Sequence, residues 1–128
     1  MKVNVLVDSY GWIEFFGNGP LANKYAKFIE KADKKNYFTP TIVLYEIYKQ
    51  IKSMKSEEKA LEAFGYIVSY TTIVGLDESL SLEAADISIK TGLGMADAII
   101  KATAEQKSAS IVTSDEHFKK FNDAIFIK

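Results

Sequence analysis

The chain has no cysteine and no arginine, and only one histidine, one tryptophan and two prolines among its 128 residues. Without cysteine there can be no disulfide, no thiolate zinc site and no cysteine nucleophile, and a reducing compartment suits the chain. Without arginine all 16 basic residues are lysine. Bidentate planar recognition of phosphate is therefore excluded, and any phosphate contact is made by a point charge. The net charge of −1 gives no bulk attraction to nucleic acid, so such contact has to come from a local basic patch. No apolar stretch reaches the roughly 18–20 residues needed to span a bilayer. Lys2 leads into a short β-like run that Asp8 breaks, which is not a secretory signal. The expectation is a cytoplasmic protein with no membrane partner, folded as one domain over residues 1–128.

What is present is an alternation of short β-like runs with amphipathic helical segments. Lys2–Val7 reads as a central strand. Ser9–Phe16 reads as a helix, Gly17–Pro20 as a turn, and Leu21–Lys34 as a second helix. Tyr37–Thr39 is a strand, and Pro40 opens the helix Thr41–Met54, where its missing N–H is harmless. Ser56 is the N-cap expected for Glu57–Val68. A third strand covers Thr71–Val74, and Ser79 or Ser81 opens a helix ending before Gly92. A helix from Met95 to about Lys107, a strand at Ile111–Thr113, a short helix Glu116–Phe121 and a last strand at Ala124–Ile127 complete the chain. Such alternation predicts a three-layer α/β/α fold around a mostly parallel five-stranded sheet.

Four carboxylates stand out against this frame. Asp8 ends the first strand, Asp115 follows the fourth, and Glu46 and Asp97 lie early in helices. Acids at the C-terminal ends of parallel strands meet in one crevice. Four together repel each other unless a divalent cation, Mg²⁺ or Mn²⁺, neutralises them, and the chemistry expected is metal-dependent phosphodiester hydrolysis. Each acid also has a plain structural explanation. Asp8 and Asp115 suit helix N-caps, although Ser9 could cap in place of Asp8. Glu46 lies at or beyond the edge of its helix's apolar stripe, where it could pair with Lys49 or Gln50, and Asp97 could pair with Lys101. Thr113 and Ser114 add hydroxyls beside Asp115. His117 reads as an ordinary surface histidine, and Tyr10 and Trp12 as core or interface aromatics before base-stacking ones. Lys49, Lys52, Lys55 and Lys59 form either an RNA path or a solvated face, and Lys31, Lys34 and Lys35 are equally ambiguous.

Taken in order, Val-Asp-Ser-Tyr-Gly-Trp-Ile-Glu-Phe-Phe (7–16), Glu46, Met-Ala-Asp-Ala-Ile-Ile (95–100) and Thr-Ser-Asp-Glu-His-Phe (113–118) resemble the motifs of PIN domains. Within that family the chain is most similar to VapC-type toxins, and the resemblance spans nearly all of it. It implies a ribonuclease using Mg²⁺ or Mn²⁺. It assigns Asp8, Glu46, Asp97 and Asp115 as catalytic metal-binding acids and Thr113 as a supporting hydroxyl. It also implies an RNA substrate, a homodimer, and a small antitoxin whose C-terminal segment blocks the site. The chain departs from the pattern in having Tyr10 after Ser9, where many relatives carry a small residue, and in lacking arginine.

Two other classes compete. A phosphoacceptor signalling module would need paired acids after the first strand and a lysine ending a late strand, and neither is present. A PIN-fold RNA- or protein-binding module with weak catalysis is the alternative, and a preference for DNA over RNA is not decided by metal chemistry alone.

Overall fold

The structure is a computed structural model and describes residues 3–128. Its five strands are β1 (Asn4–Val7), β2 (Phe38–Pro40), β3 (Thr72–Val74), β4 (Ala109–Thr113) and β5 (Ala124–Phe126). Six helices connect them: α1 (Ser9–Gly17), α2 (Ala22–Ile29), α3 (Thr41–Met54), α4 (Glu57–Tyr70), α5 (Glu78–Thr91) and α6 (Met95–Gln106). All strand pairs are parallel, in one sheet of order β1-β4-β5 and one pair β2-β3. A bridge between Val5 and Tyr37 joins the two and sets the spatial order β3-β2-β1-β4-β5. The expected α/β/α architecture is present, with its sheet narrowed to that one bridge between β1 and β2.

Local chemistry places most boundaries where the sequence predicts them. Helix α3 spans the expected residues, with Pro40 at its N-cap. The Ser56 hydroxyl accepts from the Lys59 N–H and caps α4. Asn18, with φ of 53°, ends α1, and Gly92, with φ of +81°, ends α5 in the left-handed conformation that glycine adopts without strain. Two expectations fail. Helix α2 stops at Ile29, because the chain then turns and the Asp33 carboxylate takes the N–H groups of Lys35 and Asn36. Helix α5 is opened by Asp77, whose carboxylate accepts from the Leu80 N–H, and not by Ser79 or Ser81. Asp8 caps α1 itself and leaves Ser9 inside the helix. Of the first strand's expected residues, Lys2 lies outside those described.

The main core gathers Leu6, Val7, Trp12, Tyr25, Ile47, Ile67, Ile111 and Val112. A smaller cluster joins α5 and α6 through Leu80, Ala84, Leu93, Ala98, Ile99 and Ala102. Helix α6 is buried on every side from Ala98 to Ala104, as a helix packed on both flanks must be. That accounts for its alanines and makes Lys101, only 8% exposed, an exception. The expected surface pair of Lys101 with Asp97 does not form. Its ammonium instead sits 2.8 Å from Glu105 and 3.0 Å from Asp123, over the Phe121 ring. It thereby ties α6 to the segment before β5. Removing one partner of a buried pair leaves the other charge uncompensated. Lys101→Ala is expected to lower stability by about 1–3 kcal/mol, read as a lower urea midpoint; an unchanged midpoint would show the pair to be dispensable. None of the helices among the described residues is long and apolar enough to cross a membrane.

Candidate metal centre

Strand order reverses between β1 and β4. One connection from β1 leads away to β2 and β3, and the chain then returns to lay β4 on the other side of β1. At such a switch point the loops diverge and leave a crevice at the strands' carboxyl ends. Asp8 follows β1 there and Thr113 ends β4.

Asp8 is 4% exposed. Its Oδ1 accepts from the Gly11 N–H at 2.8 Å, and its Oδ2 accepts from the Thr113 hydroxyl at 2.7 Å. Asp8 therefore caps α1 and bonds across to β4 with the same carboxylate. Burial pushes its carboxyl up to about 6; the bonds from Thr113 and Gly11 lower it, and the nearby charge of Asp115 adds to the rise. Thr113 is fully buried. Its hydroxyl donates to Asp8 and accepts from the Asp115 N–H at 2.9 Å, so it is a strut between the two acids.

Asp115 N-caps the one-turn 3₁₀ helix Glu116–Phe118, its Oδ1 accepting from the His117 N–H. Asp97 enters from the first turn of α6, after the Gly92–Gly94 loop. Leu93 in that loop is buried, and its carbonyl accepts from the Ser88 hydroxyl at 2.7 Å. Burial raises the Asp97 carboxyl, the Asp115 charge raises it further, and His117 opposes both. Glu46 projects from α3. It pairs with neither Lys49, which lies over the Tyr45 ring, nor Gln50, which reaches Met54. Burial raises its carboxyl, the Ser9 hydroxyl lowers it by hydrogen bonding, and the charge of Asp97 raises it. Its Oε1 is buried with no hydrogen-bond partner.

The four predicted acids are thus linked in one electrostatic chain: Glu46 to Asp97, Asp97 to Asp115, Asp115 to Asp8. The shifts of Asp8, Glu46 and Asp97 are all upward, the sign expected where like charges meet in a partly dehydrated crevice. A buried carboxylate oxygen without a hydrogen-bond partner, acted on by the charge of Asp97, suits a hard divalent cation.

Two contributors escaped the sequence reading. Gly11 lies against the site so closely that a Cβ there would stand 2.3 Å from the Tyr25 ring and 2.9 Å from Asp8 Oδ1. The Tyr25 hydroxyl donates to Ser114 at 3.0 Å, and burial pushes it far above the usual phenol range. A glycine inside a helical segment was the available signal for the first; an aromatic on an apolar stripe carried none for the second. His117 is also not the isolated surface residue expected, since its Nδ1 lies 3.3 Å from both Asp97 and Asp115. Trp12 is wholly buried, against Phe16 and Tyr66, whereas Tyr10 is exposed beside the site.

A parallel α/β sheet with a carboxylate-lined crevice at its switch point defines the class. The family model of the PIN domain matches residues 5–124, and the chain belongs to that family. Among solved structures it resembles a toxin–antitoxin complex from Klebsiella pneumoniae, with a TM-score of 0.77 and 18% identity over 95% of this chain and 96% of that one. It also resembles VapC20 of Mycobacterium tuberculosis, a toxin that cleaves the sarcin–ricin loop, with a TM-score of 0.77 and 14% identity over 94% and 98% of the two chains. A third similar structure is the DNA-bound VapBC of Salmonella typhimurium, with a TM-score of 0.74 and 14% identity over 98% of each chain. No curated protein sequence matches the chain.

Proposed function

We propose that the protein is a divalent-cation-dependent endoribonuclease, the toxin of a toxin–antitoxin pair. The observation that carries this reading is the chain of charge influences linking Asp8, Asp115, Asp97 and Glu46, with the Glu46 Oε1 buried and unpartnered at its end. The four acids would hold Mg²⁺ or Mn²⁺. The chemistry supplied by a bound divalent cation is Lewis acidity toward the phosphodiester and activation of water. Asp8 is immobilised for that role by Gly11 and Thr113, and its raised carboxyl is still mostly ionised at neutral pH. Thr113, buried and with its hydroxyl held between the Asp8 carboxylate and the Asp115 backbone N–H, is a positioning residue.

An open trough lined by Tyr10, Ser114, Asp115, Lys119 and Lys128 runs beside the acids. Exposed lysines and an exposed tyrosine suit a single-stranded nucleic acid, through charge and stacking. Lys52 and Lys59 lie on another face, where they pair with Glu57 and Glu62, as Lys119 does with Glu116. An apolar groove lined by Ile13, Phe16, Ile51 and Met54, with Lys55 and Lys59 at its rim, suits a small antitoxin. Similarity to a toxin–antitoxin complex and to a toxin that cleaves the sarcin–ricin loop supports the same reading. A homodimer and a cytoplasmic location belong to it as well.

The test is cleavage of a structured RNA pool, including tRNA, with Mn²⁺ or Mg²⁺. Activity is expected with either ion, and to disappear with chelator and in Asp97→Asn. Cleavage that persists in Asp97→Asn would remove the acidic cluster from the mechanism and favour a binding module.

A further inference from the structure

We infer that His117 is a nitrogen donor to the cation of this centre and biases it toward first-row transition ions over Mg²⁺. The inference rests on the metal-dependent reading above and extends it to which ions the site prefers.

One donor atom each from Asp97, Asp115 and His117 lie within 4.8 Å of one another. The imidazole Nδ1 is 3.3 Å from Asp97 Oδ2 and 3.3 Å from Asp115 Oδ1, so it faces the space between the two carboxylates. The backbone aims it there. The His117 N–H donates to Asp115 Oδ1 at 2.9 Å, and the next N–H, that of Phe118, donates to the Asp115 carbonyl at 3.1 Å. Phe118 is buried in the main core and anchors the turn from the other side. A histidine held by a buried neighbour and by the very acid it faces is placed, although its ring is largely exposed.

Oxygen-only donor sets suit Mg²⁺ and Mn²⁺, whereas imidazole strengthens binding of later first-row ions, in the order Mn²⁺, Co²⁺, Ni²⁺. A mixed set of two carboxylates and one imidazole should therefore discriminate among ions that the four carboxylates alone would accept. An unliganded surface histidine paired with the acids would not, since its loss would affect all divalent ions alike.

The experiment is calorimetric titration of the full chain with Mg²⁺, Mn²⁺ and Co²⁺, comparing wild type with His117→Gln, and with Asp97→Asn as the site control. The visible absorption of the Co²⁺ form is recorded in parallel. Because His117 is exposed, the substitution opens no cavity, and circular dichroism checks the fold. The expected loss in His117→Gln is graded: at least about tenfold for Co²⁺, smaller for Mn²⁺, and under about twofold for Mg²⁺. The Co²⁺ bands are expected to shift as the nitrogen is lost. Parallel losses for all three ions, or an unchanged Co²⁺ spectrum, would overturn the assignment and leave the nuclease reading standing. Failure of wild type to bind any of the three would overturn both.

Discussion

Asp8→Asn is expected to reduce RNA cleavage by at least roughly 100-fold while making the metal-free protein more stable at neutral pH by about 2–3 kcal/mol. The two effects share one cause. Asp8 is 4% exposed, and burial lifts its carboxyl from 3.8 to about 6 on folding. Between those values the folded chain holds a proton that the unfolded chain has released. Stability therefore falls as pH rises through this window, and the whole penalty is present above pH 6. Asparagine keeps the Oδ1 that accepts from Gly11, so α1 keeps its cap. It can also turn its amide N–H toward the Thr113 hydroxyl, and it carries no buried charge. Urea unfolding with chelator should show the variant's advantage at neutral pH and its disappearance near about pH 4, below which wild-type Asp8 is protonated in both states. Divalent ions should raise the melting temperature of wild type, because a ligand bound only to the folded state stabilises it. They should do so far less in the variant. Equal midpoints for the two proteins at both pH values would mean that the Asp8 charge is not penalised by its surroundings.

Trp12→Ala is expected to lower stability by about 3–5 kcal/mol, enough to leave a domain of this size marginally folded. Trp12 is wholly enclosed, stacked 6.1 Å from Phe16 and edge-on to Tyr66 at 6.2 Å. Its truncation opens a cavity beneath α1, the helix that Asp8 caps. Trp12→Phe retains much of that packing and removes an indole N–H that has no partner, so its loss should be much smaller, about 1 kcal/mol. Urea midpoints separate the three proteins. If Trp12 instead stacked on RNA bases, alanine would weaken cleavage and leave unfolding unchanged. Tyr10, two residues earlier and exposed beside the trough, is the aromatic for which that second pattern is expected.

Much of this molecule is written in short-range chemistry. The strand–helix alternation, the Pro40 opening of α3, the Ser56 cap and the Gly92 stop all depend on residues within a turn of each other, and these are the boundaries the sequence places well. Asp8 and Asp115 are legible for a related reason, since parallel strands deliver their C-terminal ends to one crevice whatever the details of packing. The motifs around them lead to the PIN family, which the match over residues 5–124 establishes.

Folding adds what depends on partners far away along the chain. Asp8 and Thr113 are 105 residues apart, and Tyr25 and Ser114 are 89 apart, so neither bond has a local signature. Burial of Lys101 follows from α6 being packed on both flanks, a property of neighbouring elements and not of its own pattern. Glu46 reads as a helix-edge residue from its periodicity, and only folding buries one of its oxygens and brings it the charge of Asp97 from α6, raising its carboxyl. His117 reads as a surface residue and remains exposed, yet the one-turn helix after β4 sets it between two acids. Residue types and their order thus specify which groups reach the crevice. Their charge state and their partners arise from desolvation and from pairings between distant segments, and those exist only once the sheet has closed around them.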